Sequence, residues 1–232
     1  MSRITIIPFF SISAGNGVIC KGLLIKSMVQ WYKLKLPFQP PSVSCMSLKD
    51  KEKWDAKYRG SKYITGKDPS EWLIENQELL SGKGWALDIA SGEGRNTVFA
   101  ASLGYDAVGI DISEEGAEKA RALARDKKTN IKIIVADLDE YNIEKNAFDL
   151  ILCFNFLERR LYPAIRNGLK PGGLIFYETF TVDYLKYSNF KKEWVLDYNE
   201  LLREFSEFRI LRYREVDRDE KAFASLVAFK PS

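Results

Sequence analysis

From residue 84 onward, apolar and polar positions alternate between two rhythms. "GWALDIA" (84–90), "YDAVGIDIS" (105–113), "IKIIVADL" (131–138) and "FDLILCF" (148–154) are short, nearly continuous apolar runs. That is the pattern of strands buried on both faces. Between them lie stretches with helical spacing. "RNTVFAASLG" (95–104) predicts a helix that stops at Gly104, where a helix C terminus favours glycine. Ser113 with Glu114 and Glu115 predicts the cap of a helix running through "EGAEKARALARDKK", since acids suit the positive end of the helix dipole. "RRLYPAIRNGL" predicts a further helical segment, with Pro163 near its start or bending it. "KPGG" (170–173) predicts a turn, and "LIFYETF" (174–180) a fifth strand. After a helix around 197–204, "FRILRYREV" and "AFASLVAFK", joined by the charged "DRDEK", predict an antiparallel hairpin.

These elements add up to an α/β chain with a doubly wound, seven-stranded, Rossmann-like sheet, mostly parallel and closed by a C-terminal antiparallel hairpin at its edge. The 232 residues suit one core, placed at 46–232. Residues 1–45 differ from the rest. "ITIIPFFSI" and "VICKGLLI" fall short of the ~20 apolar residues a membrane span needs. "KLPFQPPSVS" (35–44) reads as an extended linker, and Met46 opens an ordinary start, "MSLKDKEKWDAKY". The expectation is an N-terminal extension, disordered or a start-site artefact; a targeting or membrane-touching segment is the rival.

Charge sharpens this division. Of the 35 basic residues, Arg3, Lys21, Lys26, Lys33 and Lys35 lie in 1–45, which has no acid, so 30 basic and 32 acidic residues remain in the body. The body therefore lacks a global basic footprint for nucleic acid, although a local basic groove stays open. The chain has no His, which rules out a His-based zinc site and a His general base. Cys20, Cys45 and Cys153 form no metal or disulfide framework, so no metal is expected. Cys153 sits in an apolar run and reads as core, and a reducing cytoplasm fits this usage.

Candidate chemistry gathers at "ALDIASGEGRN" (86–96), where the first strand ends in a turn with Gly92 and Gly94. In open α/β sheets ligands bind beyond the carboxyl ends of the strands, where strand order reverses. Glycines let the backbone turn tightly and come close to a ligand, and the next helix offers free N–H groups to an anion. A dinucleotide site would place a third glycine where Thr97 stands. Asp88 would repel a pyrophosphate, yet suits the ammonium of an amino-acid group. Asp111 closes the second strand, where a carboxylate can accept both hydroxyls of a ribose, and Asp137 closes the third, where one can accept from an adenine amino group. Three acids closing successive strands beside a Gly-x-Gly turn suit S-adenosylmethionine.

Together "ALDIASGEGRN", "GIDIS", "VADLDEY", "FDLILCFNFL" and "LKPGGLIFYETF" resemble, in order and spacing, the class I S-adenosylmethionine-dependent methyltransferases over roughly 50–230. With "WDAKY" and "YITGKDPS" upstream, the likeness is to the small prokaryotic branch holding tellurite-resistance and thiopurine-type methyltransferases. The resemblance implies that Asp88, Ser91, Gly92 and Gly94 surround the methionyl end of the cofactor, with Ala90 standing where the family often has glycine. It places Asp111 and Ile112 at the ribose and Asp137 with Leu138 at the adenine. Asn155, after the fourth strand, would border the sulfonium and the acceptor.

The acceptor is left open. A soft thiolate or metalloid anion needs little general base, whereas an amine or hydroxyl must lose a proton. With no His, Glu178, Tyr177, Glu158 and Asp183 are the candidates, Glu178 having structural hydrogen bonding as its alternative role. Trp54 and Tyr58, at i and i+4 on one helix face, serve either as core packing or as an aromatic wall over the sulfonium. Arg159 and Arg160 would draw in an anionic acceptor or cap a solvated helix start. A small molecule or metalloid is the leading acceptor; RNA or protein, a non-catalytic cofactor-binding domain, and an NAD-linked oxidoreductase are the alternatives. "NFLE" lacks the Asn/Asp-Pro-Pro-aromatic run of adenine-N6 enzymes. Oligomeric state is not legible.

Overall fold

In the computed structural model, which describes residues 45–232 with side chains from Leu48 onward, seven strands form one sheet. They are β1 (Trp85–Ile89), β2 (Asp106–Asp111), β3 (Lys132–Val135), β4 (Phe148–Phe154), β5 (Leu169–Phe180), β6 (Arg209–Arg218) and β7 (Lys221–Phe229). Their order across the sheet is β3-β2-β1-β4-β5-β7-β6, so the chain reverses its direction of travel between β1 and β4. The pairings β1–β2, β1–β4, β2–β3 and β4–β5 are parallel, and β7 is antiparallel to both neighbours. The α-helices among the described residues are α1 (Cys45–Tyr58), α2 (Glu71–Glu75), α3 (Arg95–Ser102), α4 (Glu114–Asp126), α5 (Tyr162–Gly168) and α6 (Glu200–Glu204), with four short 3-10 turns between them. This is the doubly wound α/β sheet with a reversed end that the apolar runs predict. The expected extension at 1–45 lies outside the described residues, apart from the backbone of Cys45.

Strand alternation divides the core into two layers. Leu87, Ile89, Ile151, Cys153, Ile175 and Tyr177 pack on one side of the sheet. Ala86, Leu150, Leu152, Leu174 and Phe176 pack on the other, against Trp72 and Leu73 of α2. Cys153 is fully buried, as the apolar run predicts, and burial pushes its thiol up to about 12. Ser113 caps α4 as expected, its hydroxyl accepting from the Gly116 N–H. Pro163 lies in the first turn of α5, where its missing N–H costs no helical bond. Asp219 and Glu220 both take left-handed φ, the geometry of a two-residue turn matched to the twist of a hairpin.

Two boundaries need correction. "KPGG" is not a turn that separates a helix from β5. Phe148 pairs with Leu169 and Leu150 with Leu174, so residues 170–173 bulge within one long strand. The Gly172 N–H donates to the Lys230 carbonyl, and the Lys230 N–H to the Gly173 carbonyl, which keeps the bulge in the ladder. β3 also stops at Val135, three residues early, leaving Asp137 and Leu138 in the loop that follows. No helix among the described residues is long and apolar enough to cross a membrane.

Candidate functional site

Beyond β1 the chain takes three left-handed steps in five residues, at Ala90 (φ 53°), Gly92 (φ 52°) and Gly94 (φ 80°). Two of these places need glycine for a second reason. A Cβ on Gly92 would sit 2.6 Å from the Tyr58 hydroxyl, and one on Gly94 would sit 2.4 Å from the Ala120 methyl. The turn is thus pressed between α1 and α4. Ala90 adopts the same conformation with a side chain, at a cost of roughly 1 kcal/mol. The Ser91 N–H donates to the Ile110 carbonyl, which locks the turn to the end of β2.

Asp111 ends β2 with its carboxylate almost wholly buried, accepting from the Gly92 N–H at 2.7 Å and the Ser113 N–H at 2.9 Å. Burial raises its pKa, against the pull of those two donors. Each oxygen has a further lone pair to offer. Half-buried Ile112 follows it. Asp137 lies beyond β3, where its carboxylate also closes a turn by accepting from the Asp139 N–H. Leu138 is buried in the core. Asn155 is exposed just past β4, in the left-handed region (φ 55°), and its N–H donates to the Glu178 carbonyl.

Asp88 lies beneath the turn, 3% exposed, accepting from the Thr97 hydroxyl at 2.6 Å. Burial lifts its pKa from an ordinary 3.8 to about 7, with the Thr97 bond and the Arg95 charge opposing the rise. The folded state then binds more protons than the unfolded one between those values, so this group's contribution to stability falls as pH rises from 4 to 7. In Asp88→Asn the melting temperature should fall less over that interval than in the parent. Parallel melting curves against pH would refute the shift.

The sequence reading missed Glu93 and Arg95. Glu93, between the two glycines, is 1% exposed and accepts from Lys119 Nζ at 2.8 Å and from the N–H and hydroxyl of Thr65. It clamps the segment before α2 to the turn. Arg95 opens α3 and donates to the Thr65 carbonyl. Burial lowers its pKa, and the charges of Asp88, Glu178 and Glu93 act to raise it. A cation at a helix N terminus opposes the dipole, which was the available signal.

α1 reaches the same place from above. Asp55 accepts from the Ser113 hydroxyl at 2.5 Å, from the Glu115 N–H and from Lys51. Burial would raise its pKa, but these donors outweigh it and hold it low. Tyr58 is buried over Gly92, its pKa raised by burial and by the Asp111 and Glu93 charges. Trp54 stacks on it at 5.6 Å between ring centroids.

On the β5 side several candidate side chains are already engaged by other groups. Tyr177 does not face the site: it is 1% exposed, packs with Tyr162 and Phe205, and donates to the Phe156 carbonyl. Burial drives its phenol well above the ordinary range. Tyr177→Phe should keep methylation within about threefold and cost about 1 kcal/mol of stability for the lost bond. A hundredfold loss of rate with unchanged melting would restore a chemical role. Arg159 is committed to Glu200, which it meets through Nε and Nη2, and to the Glu193 and Val195 carbonyls. Arg160 pairs with Glu158 and Asp139, and that pairing holds Glu158 below the usual range, unlike a base at neutral pH. Asp183 pairs with Lys186. Glu178 accepts from the Ser225 hydroxyl at 2.6 Å and lies 3.6 Å from Arg214. Burial raises its pKa, with those two partners opposing.

Residues 86–173 match the family described as "Methyltransferase domain". The chain is 29% identical over 119 residues to the "Ubiquinone biosynthesis O-methyltransferase" of Coxiella burnetii, covering 49% of this chain and 50% of that protein. It is also 29% identical over 142 residues to the "Probable S-adenosyl-L-methionine-dependent methyltransferase TehB" of Haemophilus influenzae, covering 51% and 49%. The alignments thus span about half the length of these relatives. The crystal structure of TehB from that organism superposes with a TM-score of 0.59 at 20% identity, over 78% of this chain and 66% of that one. An S-adenosylmethionine-dependent methyltransferase from Mesorhizobium loti gives 0.58 at 20% identity, over 71% and 100%. Residues 86–173 are thus similar to a methyltransferase domain, and the sheet that carries them has the fold of the S-adenosylmethionine-dependent methyltransferases it superposes on.

Proposed function

We propose that this chain is an S-adenosylmethionine-dependent methyltransferase acting on a small-molecule acceptor. The observation that carries it is the pairing of the glycine turn with Asp111, whose carboxylate bridges the Gly92 and Ser113 N–H groups at the mouth of the switch point. The residues present fit that cofactor. Buried carboxylates close β1 and β2, half-buried Asp137 follows β3, and the Ser91 hydroxyl is buried without a partner among the described residues. Asp88, Ser91, Gly92 and Gly94 would hold the amino-acid end, Asp111 the ribose, and Asp137 the adenine.

When bound, the cofactor supplies a methyl group activated by a sulfonium. The protein's share is to hold the acceptor in line and exclude water, which can lower the barrier by on the order of 7–11 kcal/mol. Tyr58 closes the turn from above, and Glu93 fixes the Thr65 segment beside it. Glu178 and Arg95 lie on the acceptor side; Glu178, tied to Ser225, serves better to orient than to take a proton. The name of one relative, an O-methyltransferase of ubiquinone biosynthesis, supports O-methyl transfer to a small molecule. A cytoplasmic setting belongs to the same proposal. Calorimetry tests it: S-adenosylmethionine should bind at micromolar concentration and NAD should not. The reverse order of affinities would leave an oxidoreductase instead.

A further inference from the structure

A polar row crosses one face of the sheet near the ends of its parallel strands. On β5 Leu174 and Phe176 face α2, so strand alternation puts Glu178 on that side as well. Ser225 of β7 lies directly opposite Glu178, and Arg214 of β6 directly opposite Ser225. The Ser225 hydroxyl donates to Glu178 Oε2 at 2.6 Å, and Arg214 Nε donates to the Ser225 oxygen at 3.3 Å. Arg214 Nη2 stands 3.6 Å from the same carboxylate oxygen. Asp88 shares this face. It pairs with Leu152, which pairs with Phe176, so Glu178 stands two residues further out along its strand.

Arg214 has little freedom. Its guanidinium lies 4.4 Å from the centre of the Trp72 ring and 5.3 Å from that of Phe223, and Nη1 donates to Glu75 at 2.9 Å. A planar cation set against two rings keeps both its charge and its direction. Glu178, by contrast, has a side chain only 17% exposed. Burial discharges such a carboxylate unless donors and cations oppose it, and here Ser225, Arg214 and Arg95 do so. Arg95 approaches from α3 and also feels Asp88 and Glu93. Among the described residues Glu178 Oε1 accepts no hydrogen bond. The Glu178 carbonyl receives the Asn155 N–H, which sets this acid beside the residue expected at the sulfonium.

Resting on the function proposed above, we infer that Glu178 is the counter-charge by which the site prefers the sulfonium of the cofactor to the neutral thioether of its product. Arg214 and Ser225 are positioning residues that act through it. S-adenosylmethionine and S-adenosylhomocysteine share their ammonium, carboxylate, ribose and adenine, so Asp88, Asp111 and Asp137 serve both alike. Only a charge beside the sulfur separates the two, and specificity is that difference in affinity. Once the methyl group has left, Glu178 no longer holds what remains, which favours release of the product.

The test titrates the full chain by calorimetry with S-adenosylmethionine, with S-adenosylhomocysteine, and with sinefungin, which carries an amine in place of the sulfonium. The readout is the affinity for each cationic probe divided by that for S-adenosylhomocysteine. Glu178→Gln can still accept from Ser225, so its melting temperature should hold while the ratio drops at least fivefold. In Arg214→Gln burial meets less opposition and Glu178 takes up its proton at higher pH. There the ratio should fall at least threefold at about pH 6.5 and return towards that of the parent by about pH 8.5. Asp88 titrates in the same interval, but it faces groups common to all three ligands and cancels from the ratio. Ser225→Ala should move the ratio the same way without touching the rings around Arg214, and Arg214→Lys should keep it within twofold. Arg212→Gln, on the same strand but beside Glu78, should leave it alone. A ratio that survives Glu178→Gln overturns the inference. So does an Arg214→Gln variant that weakens all three ligands equally at every pH, the mark of a merely structural role. If the parent binds none of the three, the proposed function fails; if it binds all three equally, only the charge discrimination fails.

Discussion

Glu93→Ala should lower the unfolding free energy by about 3 kcal/mol, because breaking a buried ion pair strands the remaining charge. Glu93 is fully enclosed, and its partner Lys119 has a side chain only 14% exposed. The same carboxylate also satisfies the Thr65 N–H, so alanine orphans a backbone donor as well. For a domain of this size the melting temperature should drop by roughly 2–4 °C for each kcal/mol. Differential scanning calorimetry reads it directly, and a drop below about 2 °C would show the pair to be dispensable. A Glu93→Leu, Lys119→Met double variant should regain most of the loss, since an apolar pair often matches a buried ionic one. Affinity for S-adenosylmethionine should still suffer in that double variant, because Thr65 is no longer clamped to the turn.

Asp111→Ala should weaken S-adenosylmethionine binding at least tenfold. Two effects add: the carboxylate proposed to accept from the ribose is gone, and the Gly92 N–H loses the acceptor that shapes the turn. Asp111→Asn separates them. Its carbonyl can still accept one N–H, but its amide group meets the other donor, so affinity should fall nearly as far while the fold persists. Isothermal titration provides the number. Near-normal binding in both variants would remove Asp111 from the cofactor site.

Much of this was legible before any coordinates. Continuous apolar runs give the strands because parallel strands are covered on both faces, and Ser113 with two following acids gives a helix start because that signal is local. What escaped was whatever depends on a distant partner. The glycines of "KPGG" bulge rather than turn because Lys230, far along the chain, completes their ladder. Arg159 became a strut because Glu200 stands opposite. Tyr177 and Glu178, as strand neighbours, point to opposite faces. The rings of Tyr162 and Phe205 cover the face that Tyr177 takes. Glu93 looked like an ordinary turn acid until Lys119 arrived from α4.

The sheet order has a consequence for biogenesis. Because β7 lies between β5 and β6, a strand synthesised after both becomes an interior member, and Ser225 reaches Glu178 only once it is in place. A chain still leaving the ribosome can assemble the parallel β3-β2-β1-β4-β5 part first. Its other half must wait with an unpaired β5 edge, the kind of edge that invites misassociation. A nascent polypeptide stalled ahead of Leu226 would therefore be a target for chaperones before it could be an enzyme.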